Sequence, residues 1–393
     1  MKQCKDHIPP HVLPVIVFAQ FAGTSLWFAG NAIAGDLQQA LHLPANAIGH
    51  ITSAVQLGFI SGTLVFAILS LADRFSPSKV FLSSALAGAF FNLCVLWFAQ
   101  GMASLLAFRF LTGFFLAGIY PVGMKISADW YEKGLGKALG YLVGALVVGT
   151  AFPHLLKTFS GELSWSGVLK ATSLLAISGG LLLYFTVGDG PHRRPAPKFE
   201  WNAIPRIFRY KKFRAAAYGY FGHMWELYAM WAFVPFMLVF YEEKNAVPVD
   251  IPWWSFIIIA AGGLGCIIGG YISLKKGSAK VAFAMLLTSG IFCLFSPFLF
   301  FLSKWLFLPA LLIWGFAVVG DSPQFSTIVA QTAPKMYVGT ALTIVNCIGF
   351  ALTIFSIQLL SFLQNKIDGE WGYLFLLPGP VFGLWSIWGM VKK

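Results

Sequence analysis

Charge is what this sequence has least of. Only 11% of its 393 residues are Asp, Glu, Lys or Arg, and acids are the scarcer sign, 15 against 27 basic residues. A domain dissolved in water needs a charged surface, so a chain that is 58% hydrophobic with a mean hydropathy of +0.75 belongs in lipid. Cysteine is also sparse. Of the five, Cys4 precedes the first apolar stretch and Cys94, Cys266, Cys293 and Cys347 lie inside apolar stretches, with no spacing that fits a disulfide framework or a zinc site. Nor is there a nucleophile–base constellation, a phosphate loop, or a polar segment long enough for a soluble catalytic domain. The expectation is therefore no enzyme, no cofactor and no resident metal.

What is present is a series of long apolar runs. Twelve are long enough to cross a bilayer: 12–34, 50–71, 80–100, 104–127, 137–157, 167–187, 215–240, 253–273, 280–301, 304–325, 339–363 and 371–390. The first is too long for a signal peptide and has no small-residue cleavage pattern, so it is expected to remain as a span. The net charge of +12 does not point to nucleic acid once it is mapped. With the N-terminus inside, 21 of the 27 basic residues fall in inner segments, eight of them between Arg193 and Arg214. Only Arg109, Lys157, Lys170, Lys244, Lys304 and Lys366 fall at the outer side. That bias places both termini in the cytoplasm. The longest polar interruption divides the spans six and six, giving an N-terminal bundle (1–190), a basic linker (191–214) and a C-terminal bundle (215–393). In the linker Phe199, Trp201, Ile204, Ile207 and Phe208 alternate with basic residues, which suits a short helix on the inner membrane surface as well as a solvated loop.

The halves also rhyme. Gly113-Phe114, Gly118 and Pro121 recur about 202 residues later as Gly315-Phe316, Gly320 and Pro323, and Gly136-x-Ala138-Leu139 recurs as Gly339-x-Ala341-Leu342. Duplication of a bundle places a site between two related halves.

Specific residues then resemble the major facilitator superfamily. Leu71-Ala72-Asp73-Arg74, between the second and third runs, is similar to the core of that family's loop signature Gly-x-Leu-Ala-Asp-Arg-x-Gly-Arg-Lys. Leu69, Ser76 and Pro77-Ser78 depart from it and Lys79 remains. The matching loop of the second half keeps Gly270, Lys275 and Gly277 but has Leu274 in place of the acid. Leu105-x-x-x-Arg109-x-x-Thr112-Gly113 resembles the fourth-span signature Leu-x-x-x-Arg-x-x-Gln-Gly, with Thr for Gln. Gly140, Gly144 and Gly149 with Pro153 resemble the glycine-rich antiporter motif without its Gly-Pro pair. The resemblance implies an all-α fold of twelve membrane helices in two pseudo-symmetric six-helix bundles. It also implies a monomeric carrier in a bacterial inner membrane, moving a small organic solute by alternating access with proton coupling, and a cavity lined by the first, fourth, seventh and tenth spans.

An ionisable side chain within hydrocarbon is costly unless paired or wetted, so each one is a candidate. Glu226 falls near the middle of the seventh run, with His223 one turn before it and Met230 one turn after; Gly219 and Met237 continue that face. A buried carboxylate beside an imidazole suits proton binding and release; the structural alternative is a Glu226 tied to a neighbouring helix. Arg109 is either a fixed positive charge in the cavity or a side chain that snorkels to the outer surface. Asp321, between Gly320 and Pro323, is a second coupling candidate. Gln20, Thr24, Trp27 and Asn31 form one stripe at helical spacing. Tyr120, Trp225, Trp231 and Trp314 are either aromatic cavity walls or packing, as are Met230 and its neighbours. Asp73, Arg74, Glu132 and Lys133 lie at the inner mouth, where the resemblance implies that Asp73 docks on a helix N-terminus of the opposite half.

Two other readings stay open. His223, Met230 and Met237 recur every seven residues, which could serve a soft metal such as Cu(I) or its complex. A nitrate-type anion porter is disfavoured because the second and eighth runs hold no Arg. A membrane sensor or assembly factor on a transporter scaffold has little extramembrane chain to signal with. The charge map carries a direct test: a green fluorescent protein fused after Lys393 is expected to fluoresce and an alkaline phosphatase there to stay inactive, and the reverse pattern overturns the orientation.

Overall fold

The computed structural model describes residues 8–44, 46–131, 135–159, 164–193, 199–364 and 366–392, and every regular element among them is a helix. Glu132 and Lys133 lie outside the described residues. Eleven helices are long and apolar enough to cross a membrane, and a shorter apolar helix, Val12–Thr24, precedes them. Side chains such as Trp97, Phe185, Leu274, Trp305 and Trp385 are exposed along their outer faces, as a lipid solvent allows.

The helices begin where the sequence supplies caps. Ser76 accepts a hydrogen bond from the Lys79 N–H at 3.3 Å with Pro77 following, which opens the third span, Pro77–Phe98. Asp250 does the same for the Trp253 N–H at 3.1 Å and opens the eighth, Ile251–Lys276. The seventh span runs unbroken over Lys211–Asn245. At about 1.5 Å per residue its 35 residues exceed a hydrocarbon core of roughly 30 Å and extend beyond the expected 215–240 at both ends.

Three spans are broken. The fourth consists of Met102–Leu116 and Tyr120–Trp130, the tenth of Lys304–Gly320 and Ser322–Thr332. Pro121 and Pro323 sit in the first turn of each second half; a proline there has no N–H to give the preceding turn, and its ring crowds that turn's carbonyl. The repeated Gly-Phe-x-x-x-Gly-x-x-Pro phrase is thus the break itself. The first span differs from the single run expected over 12–34. It stops at Thr24, passes through irregular backbone and resumes as Ala29–Ala32 and Ala34–Ala40. No proline lies at this break, so its cause is tertiary.

Glycines set the helix crossings. A Cβ at Gly58 or Gly62 of the second span, Ala47–Ile68, would enter the Phe110 or Phe114 carbonyl of the fourth, and one at Gly113 would enter the Val55 carbonyl. The second half repeats this: a Cβ at Gly265 of the eighth span would meet the Phe316 carbonyl and one at Gly315 the Ile258 carbonyl. Gly113 and Gly315 therefore do the same work in the two halves.

The halves meet along two seams. The fifth span, Leu135–Thr158, lies against the eighth with Gly144 facing Gly263, and Tyr141 and Tyr271 join hydroxyls at 3.1 Å. The second span lies against the eleventh, Val338–Leu363, where Gln358 donates to Ser53 at 2.8 Å. Between the sixth and seventh spans, Trp201–Ala203 and Ile204–Ile207 form two short helical turns, with Trp201 exposed and Ala203 and Ile207 buried.

Forcing the crossings apart is expected to cost about 1–3 kcal/mol, the usual range for overpacking. Gly113→Val and Gly315→Val should each lower the Tm of the detergent-solubilised protein. Gly140→Ala, at a position with open space around it, should leave the Tm unchanged.

Candidate functional site

The break in the first span is built around Arg109. Its guanidinium is fully buried and donates from one terminal nitrogen to the Leu26 and Trp27 carbonyls at 2.9 and 2.7 Å, and from the other to Asn92 Oδ1 at 2.8 Å. The Asn92 amide in turn donates to the Leu169 carbonyl, Thr172 and Ser173. Two carbonyls that a continuous helix would pair internally are paired with a cation instead, so the backbone is satisfied without water. Arg109 does not snorkel outward, and its ion-like partners are neutral oxygens rather than a carboxylate. Asn92 is a partner of Arg109 that the sequence reading did not single out; a lone Asn in an apolar run was the available signal.

The stripe expected along the first span is divided by this break. Gln20 and Thr24 lie before it, Trp27 within it and Asn31 after it, and all four are buried. Thr24 turns back on its own helix, donating to the Gln20 carbonyl at 2.8 Å, while Asn31 donates to Thr52 of the second span at 2.7 Å. Trp27 points between the halves. Its ring centroid lies 4.8 Å from Phe59, 5.7 Å from Tyr228 and 5.7 Å from Phe350. Trp231, one turn beyond Tyr228, packs edge-on against Phe28. Tyr120 is half-buried at the core's margin, and Met230 and Met237 are fully packed within it.

The titratable groups of the second half converge separately. His223 Nδ1 and Asp321 Oδ1 are 2.8 Å apart, both side chains fully buried, at the junction of the two tenth-span segments. The Phe325 ring lies against the imidazole. Glu226 turns the other way, into the bundle: its Oε2 accepts from Ser289 Oγ at 2.6 Å and Cys293 Sγ at 3.3 Å. Trp314 donates to the same Ser289 at 3.1 Å, which places it behind Glu226. The imidazole expected to flank Glu226 is thus the partner of Asp321, because residues three apart on a helix point about 60° apart and reach different neighbours. Among the described residues, His223 Nε2, Asp321 Oδ2 and Glu226 Oε1 are buried without a hydrogen-bond partner, and no group of three or more His, Cys, Asp or Glu is placed to hold a metal ion.

At the basic end, Asp73 Oδ1 lies 2.9 Å from Lys125 Nζ, so this partner of the loop acid belongs to its own half. Arg74 is exposed beside it. The loop is fastened by residues that its motif does not contain. Arg193 donates to the Asp73 and Phe75 carbonyls, and Asp189 accepts from Ser76, from Ser78 and from the Ser78 N–H. Partial burial opposes the charge on Asp189, but these hydrogen bonds and Arg193 hold its carboxyl below the usual carboxylate range. The tie is therefore complete at neutral pH and is lost only as pH falls through that lowered value.

One family model matches most of the chain. The model described as Major Facilitator Superfamily matches residues 15–357. A Haemophilus influenzae protein named "Putative metabolite transport protein" is 31% identical over 150 residues; that match spans 36% of this chain and only 34% of the relative. Among solved structures, the proton:xylose symporter XylE bound to 6-bromo-6-deoxy-D-glucose superposes with a TM-score of 0.73 at 12% identity, covering 97% of this chain and 96% of the other. A bacterial homolog of the human lysosomal transporter Spinster, inward-facing and unoccupied, gives 0.65 at 14% identity, covering 100% and 96%. At these identities the two structures share the fold.

Each charge-assisted hydrogen bond of Arg109 contributes about 1.5–3 kcal/mol. Arg109→Gln should therefore lower the Tm of the solubilised protein markedly, and Asn92→Leu by less. An unchanged Tm in Arg109→Gln would show that the guanidinium does not hold the break.

Proposed function

The chain belongs to the major facilitator superfamily, and from that premise we propose that this transporter of small solutes is a proton-coupled secondary carrier. A small organic solute passes between the two bundles by alternating access, and Glu226 with the His223–Asp321 pair handles the proton. The observation that carries this is the set of three fully buried titratable side chains on the seventh and tenth spans, among the described residues His223 paired with Asp321 and Glu226 bound by neutral donors. In a low-dielectric interior each change of charge there carries a large free energy. The bundle arrangement that keeps Asp321 on His223 then binds a proton differently from one that separates them, and linkage makes proton binding and conformation drive each other.

In this reading the residues have distinct roles. Asp321 sits at the tenth-span break, where segment rotation would change its distance to His223. Glu226 has Ser289 and Cys293 as neutral donors, so a proton arriving on its carboxyl leaves no unpaired cation behind. Arg109 holds the first span in its broken form and positions Trp27 at the seam. The names of a sequence relative, a metabolite transport protein, and of a structural neighbour, a proton:xylose symporter, are compatible with a small organic solute and a proton.

The test is flux into proteoliposomes from a metabolite mixture, read by mass spectrometry under an imposed pH gradient. Gradient-driven accumulation is expected to fall at least tenfold in Glu226→Gln and Asp321→Asn, while exchange at equal solute and pH on both sides persists in monodisperse preparations. Accumulation that survives in both variants rules out these residues as the coupling groups.

A further inference from the structure

One group of buried polar atoms is used by neither the fold nor the proton site. Gln56, on the second span, is fully buried, and neither its amide nitrogen nor its carbonyl oxygen has a hydrogen-bond partner among the described residues. It lies four residues after Thr52 and three before Phe59, so all three share one face of the helix. That face is the one turned to the seam, because Thr52 accepts from Asn31 and Phe59 packs on Trp27 and Phe350. Among the residues that meet this face directly or through Tyr228, Trp27 Nε1, Asn31 Oδ1 and Trp231 Nε1 are also buried and unpartnered among the described residues.

An unpaired buried amide, indole N–H or carbonyl destabilises the empty protein by its uncompensated desolvation. Several of them at one seam, with no packing role for their polar atoms, mark a place where hydrogen bonds are completed by something else. The donor set is two indole N–H groups and the Gln56 amide; the acceptors are the Gln56 and Asn31 oxygens. The walls are the faces of Trp27, Phe59, Tyr228 and Phe350, with centroid spacings of 4.6 to 5.7 Å. None of these side chains carries a formal charge at neutral pH. Arg109 has its terminal nitrogens committed to Asn92 and the Leu26 and Trp27 carbonyls, its buried Nε alone lacks a partner among the described residues, and the carboxylates face the interior of the other bundle.

We infer that the seam between Trp27, Asn31, Gln56 and Trp231 is the solute site, and that it takes an uncharged solute with a flat ring and both donor and acceptor groups. This rests on the carrier reading above and adds the chemical class. A charged solute would meet only neutral dipoles in these four side chains, which compensate its desolvation poorly. A flat neutral ring instead replaces the contacts that Trp27 now makes with Tyr228 and Phe350, and its polar edge satisfies Gln56, Asn31 and the indoles. Because Trp27 lies in irregular backbone, displacing its ring would unwind no helix. Gln56 would then be a specificity residue that the sequence pattern does not single out.

The experiment is a thermal-shift comparison on the full-length protein in detergent. Uncharged flat-ring probes (nicotinamide, benzamide and uracil, at millimolar concentration) are set against charged counterparts (nicotinate, benzoate and benzylamine). At least one uncharged probe is expected to raise the Tm by a few degrees, with no shift from the charged set. Gln56→Leu, which replaces an unpaired amide by an apolar chain of similar size, should keep or raise the Tm of the empty protein and abolish the probe's shift. A lowered Tm in empty Gln56→Leu assigns Gln56 a structural role and overturns the proposal. So does a shift from the charged set, from no probe at all, or one undiminished in Gln56→Leu. The proteoliposome flux separates this from the carrier reading. A charged solute accumulated in a Glu226-dependent way removes the class alone, whereas accumulation indifferent to Glu226→Gln and Asp321→Asn removes the coupling.

Discussion

A guanidinium buried in a membrane bundle must find oxygen, and the way Arg109 finds it organises the N-terminal half. Its acceptors are the Asn92 side chain and two backbone carbonyls, and those carbonyls are available only because the first span stops at Thr24. The dependence runs both ways. Without the cation, the Leu26 and Trp27 carbonyls would be stranded in hydrocarbon; without the break, the cation would lack acceptors. Everything the first span presents to the seam follows from this, since Trp27 is the residue whose carbonyl is held and whose ring projects to the other bundle.

The two halves share a scaffold and differ in charge. Gly113 and Gly315 make the same close crossing, and the fourth and tenth spans break at the same point of the repeat. Yet Leu311, a buried apolar residue, aligns with Arg109, and Ile119 aligns with Asp321. One half therefore spends its buried polarity on stabilising a broken helix, and the other on a carboxylate–imidazole pair and a hydroxyl-bound glutamate. Lys125, opposite Thr327 in the repeat, supplies the loop acid Asp73 with its partner. Duplication gave both halves the same hinges, and the charges make the hinges unequal.

The seventh span joins the two kinds of site. One face presents His223 and Glu226 to the interior of its bundle, while Tyr228 and Trp231 reach the aromatic seam. The helix is continuous through this region, so a rotation that alters the His223–Asp321 contact also moves the rings that meet Trp27. Such coupling needs no chain of side chains between the sites; a rigid element with two arrangements suffices.

The sequence by itself determined that the chain lives in lipid, that it is helical and doubled, and that Arg109, His223, Glu226 and Asp321 are exceptional. Those conclusions rest on composition, run length, repetition and the cost of burying charge, all of which are local quantities. The breaks of the fourth and tenth spans fall at the repeated phrase because proline and glycine act on their own backbone. Only the tertiary structure decided which partner each polar group has: that His223 serves Asp321, that Glu226 meets Ser289 and Cys293, and that Asp73 pairs within its own half. It alone revealed the break of the first span and the unpartnered Gln56. A hydrogen bond between spans depends on helix rotation and on contacts scores of residues apart, and no local pattern encodes those.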